Sequence, residues 1–206
     1  LPGYYPPREA SVVHLRNNFL LLLPMWCGSV LLADEQLTLL RRGHLEVAVL
    51  AGSALATKAG PRTIHNHLEI GAGIANGWST FMGLTRIPEF AAQFPEGKGS
   101  RQFEIFQTGV QREFAFTQLP FKLNLWPYAL AGAAFHSSKY TRGTKPPERF
   151  PLQFAIPVGG GVRILHNNRS RWGLRLEYRL ITPVRPTTDF GVHHILSAGI
   201  SIQLNP

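Results

Sequence analysis

The chain has 206 residues and a formal net charge of +9, a length that fits a single all-β domain. Its 20 glycines, 16 prolines and 11% aromatic residues favour many short strands joined by turns over long helices. The basic residues are spread along the chain and do not form a compact patch interleaved with aromatic residues, which argues against a nucleic-acid-binding protein. Beyond residue 33 no apolar run is long enough for a membrane-spanning helix.

The N-terminal segment has the pattern of a secretory signal peptide. Arg16 precedes a short apolar run over residues 19–33, and two acidic residues follow Ala33. This pattern predicts cleavage after Ala33; the alternative is a buried N-terminal helix. We therefore divide the chain into an N-terminal extension with signal peptide, residues 1–33, and one domain, residues 34–206. The only cysteine, Cys27, would leave with the signal, so the mature chain would need no disulfide in an oxidising compartment.

The rest of the chain contains eight segments with the properties of β-strands. They cover residues 45–55, 64–75, 78–87, 101–116, 121–135, 152–165, 172–181 and 194–204. The clearest is the seventh, where an apolar set alternates with a charged one: Trp172, Leu174, Leu176, Tyr178 and Leu180 against Gly173, Arg175, Glu177 and Arg179. This period of two is that of a strand with one apolar and one charged face.

Two of the other segments carry local signals. Asn76-Gly77, between the second and third segments, predicts a two-residue hairpin because both residues tolerate positive φ. In the fourth segment Phe103 and Ile105 fall on one face of the strand and Phe106 and Val110 on the other, so the apolar residues do not share a single face. We expect a β-bulge to reconcile them.

The connections between these segments alternate in length. Residues 76–77, 117–120 and 166–171 are short turns, whereas residues 88–100, 137–151 and 182–193 are longer loops. Short turns at one end and longer loops at the other are typical of outer-membrane barrels. The sequence therefore predicts an all-β protein, an eight-stranded antiparallel up-and-down transmembrane β-barrel in the bacterial outer membrane, with both termini at the short-turn end.

Aromatic residues fall into two groups that fit the two edges of such a membrane-spanning wall. One group lies near the short turns: Trp78, Phe114, Phe116, Phe121 and Trp172. The other lies toward the longer loops: Phe103, Phe135, Tyr140, Phe150 and Phe154. We expect both groups to form interfacial girdles. Two soluble alternatives remain, a β-sandwich with a solvated charged face and a lipocalin-like carrier with its apolar face around a ligand.

Six charged residues are predicted to share the inward face of the barrel: Glu46, Glu69, Arg163, Arg175, Glu177 and Arg179. The interior of an eight-stranded barrel is just wide enough for side chains to fill it, and buried charges are stable only when paired. We expect a network of salt bridges that plugs the lumen, with Glu46 or Glu69 bonded to Arg163, Arg175 or Arg179. The alternatives are a solvated face of a soluble sheet and a path for protons or ions.

The C-terminal half, residues 125–204, carries a more specific likeness. It combines an apolar strand that ends in small residues, the run Gly159-Gly160-Gly161-Val162-Arg163, the segment Glu177-Tyr178-Arg179 and a final alternating strand. In these features the chain resembles small eight-stranded Gram-negative outer-membrane barrels, and within them the lipid A 3-O-deacylase (acyloxyacyl hydrolase-like) family. That family has a His-x-Ser motif after its Tyr-Arg pair, where this chain has Leu180 and Thr182. Since leucine cannot act as a general base, the resemblance implies the scaffold without the chemistry.

Other polar residues give weaker signals. His136 and Ser138 share a strand face and are the only candidates for a hydrolytic pair, but their spacing is unspecific and we favour a polar strand end. His65, His67 and Glu69 share a face, but their spacing is not that of a zinc site, and we expect no metal or cofactor. A set of basic residues would meet lipopolysaccharide phosphates at the outer surface or form an ordinary charged loop: Lys139, Arg142, Lys145 and Arg149.

These observations predict a non-catalytic outer-membrane barrel with a structural, surface-binding or adhesive function. Its expected partners are outer-membrane lipid and lipopolysaccharide, and nucleic acid is not expected. The first alternative is a lipid A deacylase-like hydrolase with a displaced catalytic pair, and the second is the soluble lipocalin-like carrier.

Overall fold

The structure is a computed structural model that describes residues 44–56, 63–75, 77–94, 97–114, 117–142, 146–149, 151–166, 171–185 and 191–204. The predicted signal peptide and its cleavage site lie outside these residues. Within them, no helix is long and apolar enough to cross a membrane.

Strands and one short 3₁₀ turn make up nearly all of the described chain. In order they are β1 Leu45–Ala56, β2 Thr63–Ala75, β3 Trp78–Phe94, β4 Gly97–Glu113, β5 Thr117–Leu119, the 3₁₀ turn Pro120–Lys122, β6 Leu123–Arg142, β7 Glu148–Arg149, β8 Gln153–Leu165, β9 Trp172–Pro183 and β10 His193–Leu204. Eight of these described strands are long, while β5 and β7 are short additions that pair with β6.

The eight long strands close into an antiparallel barrel. Each pairs with its neighbour around the order β4-β3-β2-β1-β10-β9-β8-β6, and β4 pairs with β6 to complete the circle. The first strand lies against the last, with Leu45 opposite Leu204. The start of β1, the end of β10 and the turns after β2, β4 and β8 therefore share one end of the barrel, here called the short-turn rim; the opposite end is the long-loop rim. The predicted fold is confirmed.

The alternation of side chains follows the prediction along most strands. In β9, Leu174, Leu176 and Tyr178 are exposed on the outside, whereas Arg175, Glu177 and Arg179 are buried inside. The tight connection predicted between the second and third strands is also found, because Ala75 lies opposite Trp78 and Gly77 has φ 74°; Asn76 itself lies outside the described residues. The exterior is apolar on strand after strand, with Val49 61%, Ile64 69% and Leu196 56% exposed.

The predicted bulge in the fourth strand is wrong. β4 keeps an unbroken register with β6 from Gly99 to Glu113, so Phe103 and Ile105 point inward while Phe106 and Val110 point outward. The phase looked mixed because both faces of this strand are apolar near the long-loop rim. A shift of register does occur, but it lies in β3 between Ile87 and Phe90.

Two of the predicted loops are largely strand. Residues 88–100 belong mostly to β3 and β4, which continue as a hairpin beyond the end of β2, and β6 runs on to Arg142. Partner strands satisfy the backbone hydrogen bonds of these segments, which the local sequence does not reveal. As a result β3, β4 and β6 extend past the other strands at the long-loop rim.

The aromatic girdles are confirmed in part. Trp78, Phe121 and Trp172 are exposed at the short-turn rim, and Phe135 and Phe154 are exposed near the long-loop rim with ring centroids 5.7 Å apart. Phe103 and Tyr140, by contrast, are buried inside the barrel, so their assignment to the outer girdle is wrong. Phe116 and Phe150 lie outside the described residues.

Candidate functional site

The six charged residues predicted to face inward meet in the lumen, between its middle and the short-turn rim. Glu46 lies on β1, Glu69 on β2, Arg163 on β8, and Arg175, Glu177 and Arg179 on β9, and all are buried. With Glu113 of β4 they form the group that we call the interior network. Period-two alternation places these side chains inside, and the closed sheet brings them within reach of one another across the lumen.

Arg163 holds the part of the interior network nearest the short-turn rim. Its Nε donates to Glu46 Oε1 at 2.8 Å and its Nη2 to Glu46 Oε2 at 2.7 Å, which makes a forked ion pair. Its Nη1 donates to Glu113 Oε1 at 3.0 Å, and Nη2 also donates to Gln111 Oε1 at 2.9 Å. All three guanidinium nitrogens are thus bonded to buried acceptors, which offsets the desolvation of the charge.

Arg175 and Arg179 form the second part with Glu69 and Glu177. Arg175 Nη2 donates to Glu69 Oε1 at 2.6 Å and to Glu177 Oε2 at 2.5 Å. Arg179 bonds the same two carboxylates through Nε and Nη2. Arg175 Nη1 also lies 3.8 Å from Glu46 Oε2, so the two parts are linked.

Tyr128 of β6 is an anchor at the centre of the network. Its hydroxyl accepts from Arg175 Nε at 2.7 Å and donates to Glu177 Oε2 at 2.7 Å. Two guanidinium groups lie over its ring, with the Cζ of Arg163 4.4 Å and the Cζ of Arg175 4.9 Å from the ring centroid. A Cβ at Gly161 would lie 2.6 Å from the Tyr128 hydroxyl, so the glycine run of β8 leaves space for this ring.

Sequence reasoning missed several members of this site. Glu113, Gln107 and Gln111 all lie on β4, and the expected bulge hid which face of this strand points inward. They lie on the same face as Phe103 and Ile105, which point inward. Correct phasing of that strand would have found them. Tyr128 shares the inward parity of the buried residues of β6, which was a usable signal.

An apolar layer lies above the network, toward the long-loop rim. Seven of the eight long strands contribute to it with buried side chains: Ala54, Ile87, Phe103, Ile105, Ala134, Ala155, Ile181 and Ile195. The apolar layer shares this level of the lumen with the buried rings of His136 and His193, which lie opposite Ile105 and Ile181. The arrangement can hold the charges of the interior network in place.

The proposed hydrolytic candidates lie near this apolar layer, toward the long-loop rim. His136 and Ser138 of β6 are both buried and point into the barrel. The His136 ring contacts Phe103 at 5.0 Å and His193 at 5.7 Å between ring centroids. This aromatic packing explains a buried histidine here without a catalytic function.

His65 and His67, on β2, have hydrogen-bonding contacts in the lumen. His65 Nε2 lies 2.9 Å from Ser197 Oγ, and His67 lies 2.8 Å from Thr85 Oγ1 and 3.2 Å from Glu69 Oε2. Among the described residues, no group of three or more histidine, cysteine or acidic side chains is placed to hold a metal ion.

The positions of the motif expected from the deacylase resemblance face outward. Leu180 and Thr182 lie on the outer side of β9 toward the long-loop rim, and Thr182 is exposed. On the same outer face, Tyr178 Oη and His194 Nδ1 are 2.7 Å apart. The histidine base of the family motif is therefore absent from position 180, and a threonine hydroxyl stands at position 182 in place of the serine.

The predicted basic residues are only partly described. Lys139 lies in β6 and Arg149 in the short strand β7 that pairs with it, so Lys139 is not in a loop as expected. Both are exposed, and together with Arg86 they line a polar recess on the outer wall. The Arg142 side chain and the whole of Lys145 lie outside the described part of the structure.

Solved structures share this fold. No protein-family model and no curated protein matches the chain. Neisserial surface protein A matches with a TM-score of 0.59 and 16% identity over 77% of this chain and 95% of its own. The N-terminal barrel domain of Pseudomonas aeruginosa OprF matches with a TM-score of 0.56 and 8% identity over 79% of this chain and 98% of its own. Ail of Yersinia pestis, in complex with the heparin analogue sucrose octasulfate, matches with a TM-score of 0.50 and 11% identity over 79% and 99%.

The chain has the fold of small outer-membrane β-barrel proteins. Its exposed apolar exterior fits a bilayer better than water. A soluble carrier of the lipocalin type would need the opposite arrangement, an apolar interior around a ligand.

Proposed function

We propose that this protein is a non-catalytic outer-membrane barrel with a closed lumen, and that it acts structurally or by binding at its outer surface. The observation that carries the proposal is the interior network of three arginines and four glutamates beneath the apolar layer. Side chains fill the space that a substrate or solute would need. The proposed partners are therefore the lipids and lipopolysaccharide that surround the exterior.

The pairing of the buried charges supports a structural role for the interior. Each of the three arginines bonds at least two acceptors, and Glu69 and Glu177 each accept from two arginines. Charges that move protons or ions need a path to water, but the apolar layer separates these from the long-loop rim. A cluster of paired charges favours a plug over an ion path.

The hydrolase alternative lacks support from the positions that face lipid. An acyl chain in the outer leaflet would meet the outer side of β9, where leucine and threonine replace the base and nucleophile of the family motif. His136 and Ser138 point into the barrel and are 2% and 3% exposed. We therefore expect no ester hydrolysis by either set of residues.

Lipid A mass spectra from cells with and without the protein test this proposal. The expected spectra are identical, because leucine and threonine occupy the positions of the family's base and nucleophile on the lipid-facing wall. Loss of one acyl chain in cells that make the protein, reversed by His136→Ala, would refute the proposal and make His136 a catalytic residue. Heat-modifiable migration in detergent gels would independently separate a barrel from a soluble carrier.

A further inference from the structure

A polar recess of about 220 Å³ lies on the outer wall of the barrel near the long-loop rim. Its lining combines three cations and one carboxylate with two neutral polar groups: Arg86, Lys139, Arg149, Glu104, Gln102 and Ser137. Four different strands supply them, β3, β4, β6 and β7. We call this group the outer recess.

The register of the strands puts the outer recess directly above the apolar wall. Leu84, Phe106, Phe135 and Phe154 lie opposite one another across four strands and form one outward row. The next outward row toward the rim contains Arg86, Glu104 and Ser137, again directly opposite one another. Successive outward positions on a strand are roughly 6.5–7 Å apart, so the polar row lies about that far from the row of leucine and phenylalanine side chains.

This distance from the apolar row places the outer recess in the headgroup layer of the membrane. Aromatic residues of a barrel lie at the membrane interface, and the polar layer on each side of the hydrocarbon core is about 5–7 Å thick. Lys139, four residues beyond Phe135, can extend its ammonium group along the wall toward the headgroups. The phosphates of outer-leaflet lipid are therefore the anions nearest to the recess.

In the described part of the structure, no carboxylate forms an ion pair with the cations of the outer recess. Among the described residues, Arg86, Lys139 and Arg149 make no ion pair, although Arg86 lies directly opposite Glu104 in the sheet. The Glu104 carboxylate instead accepts a hydrogen bond from Gln102 Nε2 at 3.2 Å. This contrasts with the interior, where every arginine of the network is bonded to carboxylates.

We propose that the outer recess binds a phosphate group of lipid A in the outer leaflet. Arginine forks match phosphate oxygens two at a time and lysine adds a point charge, while Gln102 and Ser137 offer neutral donors at the edge. The acyl chains of the same lipid would lie against the row of Leu84, Phe106, Phe135 and Phe154. Such a site presupposes the surface-binding role proposed above and gives it a ligand.

Binding of lipid A to the folded full-length chain tests this site. Native mass spectrometry would measure retention of phosphorylated and dephosphorylated lipid A from neutral detergent micelles. Each cation close to an anionic membrane surface increases binding by about five-fold. We therefore expect the combined variant Arg86→Gln, Lys139→Gln and Arg149→Gln to bind phosphorylated lipid A about 100-fold more weakly, and Glu104→Gln to bind it a few-fold more tightly.

A matched control carries the same change of charge at the opposite rim: Arg112→Gln, Lys122→Gln and Arg171→Gln. We expect this control to bind as the wild type does. Equal losses in both triple variants would overturn the site in favour of unspecific charge attraction, and no loss in either would overturn it outright. Equal retention of dephosphorylated lipid A, or full competition by inorganic phosphate, would refute a lipid phosphate as the ligand.

Two further readouts keep the result interpretable. Heat-modifiable migration shows whether each variant is folded, and the single substitution Lys139→Gln, with an expected loss of about five-fold, replaces the triple variant if that does not fold. The mass of the retained lipid A is recorded in the same spectra. Intact lipid with unchanged binding would reject the phosphate site alone, whereas loss of an acyl chain would reject the non-catalytic function.

Discussion

Replacing Glu177 by glutamine tests the energetics of the interior network with almost no change of shape. Glu177 accepts hydrogen bonds from Arg175, Arg179 and Tyr128, and glutamine offers one acceptor oxygen and turns the other position into a donor. That donor would face other donors, and Glu69 would be the one carboxylate still hydrogen-bonded to both arginines. Removing one partner of a buried ion pair costs about 3–5 kcal/mol. Because Glu46 lies 3.8 Å from Arg175 and can take part of its charge, we expect the lower end, about 3 kcal/mol.

Urea unfolding of the protein in lipid vesicles, followed by tryptophan fluorescence, measures this free energy. Glu104→Gln is the matched control, since Glu104 is an exposed carboxylate on the outer wall; we expect a change within about 0.5 kcal/mol. A fourfold apolar replacement of Glu69, Arg175, Glu177 and Arg179 by leucine and methionine should cost less than Glu177→Gln alone, because it leaves no unpaired buried charge among them. A Glu177→Gln variant as stable as the wild type, or a fourfold variant less stable than the single one, would refute the reasoning.

The same unfolding measurement checks two other features. Leu176 is 46% exposed on the outer face, and Leu176→Arg should cost about 2–4 kcal/mol if it lies near the bilayer midplane, against about 0–1 kcal/mol for Thr182→Arg toward the rim; equal costs would contradict the lipid-facing assignment. Gly161→Ala should cost about 1–3 kcal/mol, because its added Cβ would lie 2.2 Å from the Leu176 carbonyl oxygen and 2.6 Å from the Tyr128 hydroxyl, whereas Gly71→Ala, whose added Cβ has its nearest contact at 3.5 Å, should be tolerated. Equal stability of the two alanine variants would contradict close packing of Gly161 against β9 and Tyr128.

The sequence predicted the faces of strands where one side is charged and the other apolar. In β9 the alternation of arginine and glutamate with leucine leaves only one phase that puts the apolar residues against lipid. In β4 the same reasoning failed, because the lumen near the long-loop rim is apolar and both faces of Phe103–Phe106 are hydrophobic. A rule that places charged residues in the interior cannot tell which face of a strand points inward when the inward residues form the apolar layer.

The site was predictable to the extent that its members lie on strands with a clear phase. Arg175, Glu177 and Arg179 could be assigned from one strand, and their contact with Glu46 and Glu69 follows once the barrel is closed. The outer recess could not be found this way. Arg86, Lys139 and Arg149 meet only because β3, β4 and β6 continue beyond the other strands and β7 pairs with β6. Such length is set by pairing between strands, which local composition does not encode.

Electrical conductance across a planar bilayer tests the central claim, a membrane-spanning barrel closed by its own side chains. Purified folded protein would be inserted at a range of voltages and salt concentrations, with a general porin as the positive control for insertion and detection. Because the interior network lies beneath the apolar layer, we expect no conductance above that of the bare bilayer. A steady ohmic conductance that scales with the number of inserted molecules would contradict the closed lumen and make the interior charges the lining of a pore.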